Sequence, residues 1–281
     1  MPNNFNVFLQ YCCPKHLASR FVGVLANCRW IWFKNWAIKR LIRKHHIDVS
    51  EAISDRLTDY PSFNHFFTRH LKPELRPIAK GENTIVSPVD GTVSQSGKIE
   101  KGVIFQAKNF FFSVETLLGG SSERANRFQQ GSFTTFYLAP RNYHRVHIPM
   151  TGTLRKTIYI PGSLFSVNPL TTMSVPNLFA RNERLVCLFD TVAGEMAVIL
   201  VGAMLVGKMK TVWCDTYDTK KISTHTFSEK IILQKGDELG HFEMGSTVIV
   251  LFSNPHIQWD KNIIAECDVK IGESVAVFNE I

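Results

Sequence analysis

Met196-Ala-Val-Ile-Leu-Val-Gly-Ala-Met-Leu-Val-Gly207 is the most apolar run in this 281-residue chain, and the way it is read decides the fold. A membrane-crossing helix needs about 20 predominantly apolar residues. This run has 12 and contains Gly202, so it is expected to be a buried strand. Short β-prone stretches bounded by turn residues recur on both sides of it: Ile85 to Val86, Gly91 to Val93, Thr134 to Leu138, Arg145 to Ile148, Val186 to Phe189, Ala197 to Val206, Lys230 to Leu233, Thr247 to Phe252 and Ser274 to Phe278. Few helices are expected among them. One is Phe112 to Leu118, stopped by Gly119-Gly120. Ser87-Pro-Val-Asp-Gly-Thr-Val93 and Lys235-Gly-Asp-Glu-Leu-Gly-His-Phe242 look like turn-and-strand pieces of lipoyl-like barrels.

The first part of the chain has a different composition. Residues 1–47 carry eight Lys or Arg and no Asp or Glu, interleaved with Phe5, Phe8, Leu17, Phe21, Leu25, Trp30, Trp32, Phe33 and Trp36. Bulky apolar side chains mixed with cations describe a segment that lies in a membrane interface. Arg29, Lys34, Lys39 and Arg40 interrupt Phe21 to Ile42, so the segment is expected to lie on the bilayer and not to cross it. Leu17, Phe21, Val24, Leu25, Cys28 and Trp32 recur at helical spacing as one stripe, which could also be the face of an ordinary helix packed on the rest of the protein. The expected class is therefore α+β: basic amphipathic helices over residues 1–57, then a β-rich domain of mixed sheets over residues 58–281.

The net charge of +8 points to an anionic partner, and its concentration at one end favours an anionic membrane surface over nucleic acid. The first apolar stretch is short, contains Pro14 and lacks a small-residue cleavage site, so no signal peptide is expected. The expected location is the cytoplasmic face of the cell membrane, as a peripheral protein. Cys12, Cys13, Cys28, Cys187, Cys214 and Cys267 form no C-x-x-C pair, so free thiols are expected and neither disulfides nor structural zinc.

Several short motifs carry little meaning alone. Gly202 to Met209 has the Gly-x-x-x-x-Gly-Lys part of a phosphate-binding loop, but Met209 cannot hold magnesium where Ser or Thr is required. His144 and His147 lack the Glu and third ligand of a metal site, and on a strand they would face opposite ways. Asp90 in Ser87-Pro-Val-Asp-Gly91 and the sequence Gly245-Ser246-Thr247 are ordinary turn material.

Their order along the chain is another matter. Phe66-Phe-Thr-Arg-His-Leu-Lys-Pro-Glu-Leu-Arg-Pro-Ile78, Ser87-Pro-Val-Asp-Gly91, Tyr143-His-Arg-Val-His147 with Pro149 and Gly152, Gly162-Ser-Leu-Phe-Ser-Val-Asn168 and Leu239-Gly-His-Phe-Glu-Met-Gly-Ser-Thr-Val248 together resemble the phosphatidylserine decarboxylase family, of the bacterial membrane-associated type. Met244 stands where the familiar cleavage motif has Leu, a volume-conserving change.

The resemblance implies a self-processing enzyme of phospholipid biosynthesis that converts phosphatidylserine to phosphatidylethanolamine and carbon dioxide. It implies that Ser246 attacks the carbonyl of Gly245, that His147 is the base and Asp90 its orienter, and that Ser246 becomes a covalent pyruvoyl cofactor able to take the substrate amine as a Schiff base. His144 matches the residue assigned to protonation after carbon dioxide leaves. The products are a β chain of residues 1–245 and an α chain of 246–281, held as a heterodimer that could pair again. Phe110, Phe111 and Phe112 could cover the lipid or belong to the core. Two alternatives remain: a pyruvoyl decarboxylase of a soluble amino acid, which the basic aromatic N-terminus argues against, and a non-enzymatic lipoyl-like carrier, which would stay uncut.

Overall fold

The computed structural model describes residues 4–204, 208–218, 220–243 and 246–279. Three helices come first: α1 (Asn4–Cys12), α2 (Lys15–Ala26) and α3 (Ile31–His45), with Arg43, Lys44 and His45 in the last turn of α3, where cations oppose the negative end of the helix dipole. A short α4 (Phe63–Phe67) follows, its first turn capped by the Ser62 hydroxyl, which accepts from the His65 amide.

The strands then run β1 (Thr84–Val86), β2 (Gly91–Lys98), β3 (Val103–Ala107) and β4 (Phe110–Ser113). Two short helices, α5 (Val114–Leu117) and α6 (Ser122–Asn126), precede β5 (Ser132–Leu138), β6 (Arg145–His147) and β7 (Gly152–Ile160). After α7 (Pro169–Thr172) and α8 (Leu178–Arg181) come β8 (Arg184–Thr191), β9 (Gly194–Val201), β10 (Met209–Thr211), β11 (Ser223–Leu233), β12 (Glu238–Phe242), β13 (Ser246–Phe252), β14 (Ile257–Trp259), β15 (Asp268–Val269) and β16 (Ser274–Phe278).

The main sheet has eight strands in the order β11-β7-β8-β9-β13-β5-β2-β15. Small sheets β1-β16-β14 and β10-β12-β6 and the hairpin β3-β4 complete the described strands. Every pairing between these strands is antiparallel, which corrects the expectation of mixed sheets. Antiparallel neighbours can be joined by tight turns, as β8 and β9 are through Val192-Ala193, without the crossover helix that a parallel pair needs. Of the two stretches compared with lipoyl-like barrels, one enters β2 of the main sheet and the other β12 of a small sheet.

The apolar run at Met196 supplies β9, buried from Met196 to Val201, and the whole of β13 beside it is buried too. A strand covered on both faces reads as a continuous apolar run, which is why periodicity is absent there. The segment 112–118 is also corrected: Phe112 lies in β4 opposite Ile104, and the helix starts only at Val114, capped by Ser113. Pairing with β3 gives Phe112 a partner that the local sequence does not announce.

The N-terminal helices have a small core of their own. Ala26, Ile38 and Ile47 pack with Tyr60, Phe63, Phe66 and Phe67, so the cluster continues past residue 57. What α2 and α3 keep outside is unusual. Leu17, Phe21, Val24 and Trp32 of the apolar stripe are 64, 66, 72 and 82 % exposed, whereas α2 turns Ser19 and Ala26 inward. The stripe is therefore not a packing face against the β domain. No described helix is long and apolar enough to cross a membrane.

Candidate active site

Ser246 opens β13, opposite Leu138 of β5, and the next residue, Thr247, pairs with Val201 of β9. Strands on both sides fix its backbone. Its side chain is fully buried, and its hydroxyl has no hydrogen-bond partner among the described residues. A buried hydroxyl left unpaired costs free energy, on the order of 1–3 kcal/mol, so such a group is worth explaining by chemistry. Met244 and Gly245, and with them the bond expected to be cut, lie outside the described residues. A pyruvoyl group derived from this serine would fit the position: the side chain is enclosed, and no hydrogen bond would be lost when its hydroxyl is consumed.

His144 sits just ahead of β6, fully buried and stacked on Phe67 with ring centroids 4.0 Å apart and planes at 18°. Its carbonyl accepts from the Phe242 amide, which ties it to the end of β12. Burial, and then the nearby Arg69 cation, push its imidazole down to about 3, so the ring is neutral near pH 7. The carbonyls of Ala139 and Pro140 lie near enough to oppose this, yet neither ring nitrogen completes a hydrogen bond among the described residues. Since Leu138 faces Ser246 in the sheet, His144 and Ser246 meet the same end of β5.

His147 ends β6 in a different setting. Its Nδ1 is 2.7 Å from the Gly236 carbonyl, a distance at which Nδ1–H donates and leaves Nε2 as the acceptor. Nε2 lies 3.5 Å from the Tyr143 hydroxyl. Burial holds this imidazole below the ordinary histidine range, opposed by the Gly236 bond and by Glu238 and Asp90.

Asp90 occupies the turn before β2. Arg76 donates to it through Nε at 3.0 Å to each oxygen and through Nη2 at 2.6 Å, and the Ile271 amide adds a bond of 2.9 Å. Arg76 also reaches Glu51 at 2.7 Å. Burial alone would lower the Arg76 pKa, but its bonds to the two carboxylates raise it instead. Among the described residues no hydrogen bond joins Asp90 to His147. The two border adjoining clefts that share Leu71, Arg76 and Tyr143 in their walls.

The remaining expectation concerns Phe110, Phe111 and Phe112. Phe112 is buried and meets Phe179 edge-on at 5.8 Å, while Phe111 is more than half exposed and Phe110 half-buried on the β3-β4 hairpin. Sequence reasoning assigned no role to Arg76, Phe67, Gly236 or Arg69. Arg76 and Arg69 fall within the Phe66 to Ile78 segment, so the signal available was the presence of two arginines shortly ahead of the Asp90 turn.

A family model described as phosphatidylserine decarboxylase matches residues 63–277, and a second, described as PSD, matches residues 5–46. A curated relative from Bordetella avium (strain 197N) is 48% identical over 272 residues, covering 95% of this chain and 92% of its own length. One from Idiomarina loihiensis is 47% identical, covering 98% and 96%, and one from Pseudomonas fluorescens (strain SBW25) is 46% identical, covering 98% and 99%. All three are named phosphatidylserine decarboxylase proenzyme.

Proposed function

Because this chain belongs to the phosphatidylserine decarboxylase family, we propose that it matures by cutting itself between Gly245 and Ser246 and then acts as a pyruvoyl-dependent enzyme. The reaction is the decarboxylation of phosphatidylserine to phosphatidylethanolamine, a step of phospholipid biosynthesis. The observation that carries the maturation step is Ser246 itself: a buried hydroxyl without a hydrogen-bond partner among the described residues, at the head of a strand paired on both sides.

The Ser246 hydroxyl attacks the Gly245 carbonyl, exchanging the peptide bond for an ester. Elimination and hydrolysis then leave residues 1–245 as one chain and 246–281 as the other. Glycine suits the attacked position, since a residue without Cβ leaves its carbonyl open. Serine needs a base to take its proton. In the first reading that base is His147. The Gly236 carbonyl fixes its tautomer, which supports Nε2 as the accepting nitrogen, and Asp90 acts on the ring through its charge.

A second reading is favoured by a specific observation. His144 is neutral, has neither ring nitrogen hydrogen-bonded among the described residues, and adjoins the end of β5 that faces Ser246. In that reading His144 takes the serine proton. In either reading His144 serves the later step, and a ring held neutral must first accept a proton before it can return one to the substrate α-carbon. A pyruvoyl group formed from Ser246 would supply the electron-accepting carbonyl that loss of carbon dioxide requires and that no side chain offers.

The exposed Leu17, Phe21, Val24, Trp30, Trp32 and Trp36, set among the cations of residues 1–47, support peripheral attachment at the cytoplasmic face of an anionic membrane through α1 to α3. The division of the chain into this helical part and a catalytic part from residue 58 belongs to the same proposal.

The test is a denaturing gel read beside carbon dioxide release from phosphatidylserine. Ser246→Ala is expected to stay one inactive chain. If His147 is the base, His147→Ala stays uncut while His144→Ala is cut and inactive. The opposite pattern assigns the base to His144, and efficient cutting of Ser246→Ala would remove the nucleophile from Ser246.

A further inference from the structure

Phe67 and Thr68, at the end of α4, meet His144 and Arg145, at the start of β6, residue by residue. The Phe67 ring lies face to face with the His144 imidazole, with 4.0 Å between centroids and 18° between planes. One residue on, Arg145 Nε donates to the Thr68 carbonyl at 2.9 Å, while its Nη1 donates to the two carboxylate oxygens of Glu238 in β12 at 2.6 and 2.9 Å. Arg145 thus clamps α4 to β6 and β12 beside the point where the two rings stack.

The restraint on His144 differs from that on His147. The torsion that turns an imidazole about its Cβ–Cγ bond is broad, and a working imidazole is ordinarily oriented by a hydrogen bond at the nitrogen that does no chemistry. His147 has such a bond, to the Gly236 carbonyl. His144 has none at either nitrogen among the described residues, although it is fully buried. A face-to-face ring is another way to hold it. Turning the imidazole out of its plane would drive an edge into Phe67, yet the stack uses neither nitrogen, and both stay open to a proton. The same apolar face keeps water from the ring, in keeping with a pKa pushed down to about 3 by burial first and by the Arg69 cation next.

Phe67 is in turn held from the N-terminal side. Phe63, four residues earlier and so on the same face of α4, stacks on it at 6.0 Å and 20°. Phe63, Phe66 and Phe67 share a buried cluster with Ile38 of α3, which is wholly enclosed, and with Ala26 of α2. The same α3 leaves Trp32 and Trp36 82 and 58 % exposed. One helix therefore carries both an outward aromatic surface and an inward prop for the stack.

We propose that Phe67 is the positioning residue of His144, and that α3, through Ile38 and the α4 aromatic cluster, holds it in place, so that the N-terminal helices complete the catalytic site besides offering an apolar face outside. The role rests on the family reading, which gives His144 its chemistry; the stack itself does not depend on it.

The test uses the processed full-length protein in micelles of uncharged detergent, with carbon dioxide release counted per cut chain. NMR of histidine-labelled protein is read in parallel, the His144 signals being those that vanish in His144→Phe. Phe67→Leu, which keeps an apolar side chain but removes the flat face, is expected to lower kcat by about tenfold, as a misplaced reacting group does, with KM little changed. Its His144 ring protons should lose the upfield shift that a stacked ring imposes, and its His144 titration should move up toward 6.5. Phe67→Tyr, which restores the face, should restore kcat and the upfield shift. Ile38→Val, remote from the site, should change both readouts in the direction of Phe67→Leu and by less. Phe128→Leu, at another wholly buried phenylalanine, is the control for lost packing and should leave the His144 signals and the pH dependence of kcat unchanged. Wild-type kcat or wild-type His144 signals in Phe67→Leu would overturn the proposal, and so would equal changes in Phe128→Leu. Ile38→Val with both readouts unaltered would remove α3 from it. Processed wild-type protein that releases no carbon dioxide from phosphatidylserine would defeat the family reading, while the NMR signals would still decide whether Phe67 sets the ring.

Discussion

Protonating His144 inside the folded protein should be costly, and the cost can be measured without any turnover. The ring is fully buried and pushed from the ordinary 6.5 down to about 3. At ~1.4 kcal/mol per pH unit, the folded state disfavours the charged ring by on the order of 5 kcal/mol relative to the unfolded chain. The unfolded chain therefore binds more protons between those two values, and stability falls as pH drops below about 6.5. From pH 7.5 to 4.5 this one ring should remove about 3 kcal/mol. The assay is urea unfolding across that range in a Ser246→Ala background, which keeps one uncut chain, compared with the same background carrying His144→Phe. Phenylalanine keeps an aromatic ring on Phe67 but cannot titrate. Burial also lowers His45, His65, His70 and His147, and their effects are common to both proteins and cancel in the difference. Parallel pH curves would mean that His144 is not sealed in its neutral form, and the argument for it as a proton acceptor would fall.

Two further outcomes follow from the geometry. Arg76→Met, which strands the buried Asp90 carboxylate, should destabilise the protein by about 3 kcal/mol or more in thermal unfolding and yet leave self-cleavage on a gel largely intact, whereas Asp90→Ala should impair both; equal cleavage in the two would make Asp90 purely structural. Trp32→Ser and Phe21→Ser together should weaken flotation with anionic vesicles at least tenfold, given ~1.5–3 kcal/mol for each large apolar side chain removed from water, and binding should also fall with added salt; flotation unchanged by both perturbations would place the membrane contact elsewhere.

The parts of the fold legible in sequence were those where local pattern and tertiary partner agree. Residues 247–252 and 274–278 appear as strands within a residue of their expected limits because each is apolar and bounded by turns. β7 was missed because Arg155 and Lys156 break the apolar pattern near its middle, where a bulge displaces the pairing with β8 at Leu154 and Lys156. The N-terminal helices were legible from charge and spacing, but their hydrophobic cluster draws on Phe63, Phe66 and Phe67, beyond the expected limit at 57. In the site, the residues came from motif order and the environments did not. Nothing near Asp90 in sequence says that Arg76, fourteen positions upstream, takes its carboxylate, and nothing near His144 says that Phe67 covers its ring.

β13 has hydrogen-bonded neighbours along both of its edges, β9 and β5, and the three strands after it are divided between two sheets, β15 in the main sheet and β14 and β16 in a small one. A cut ahead of Ser246 would therefore free a chain end but no polypeptide. The 36 residues that follow would stay threaded through the centre of the molecule, and removing them would mean opening the main sheet from the inside. Such a protein could be assembled only while it is still one chain. Once cut and unfolded, its two pieces would have to find each other and insert a middle strand between edges that no longer share a tether. Maturation would then act as a ratchet, trading the ability to refold for the ability to react, and each molecule would carry the record of having folded correctly once.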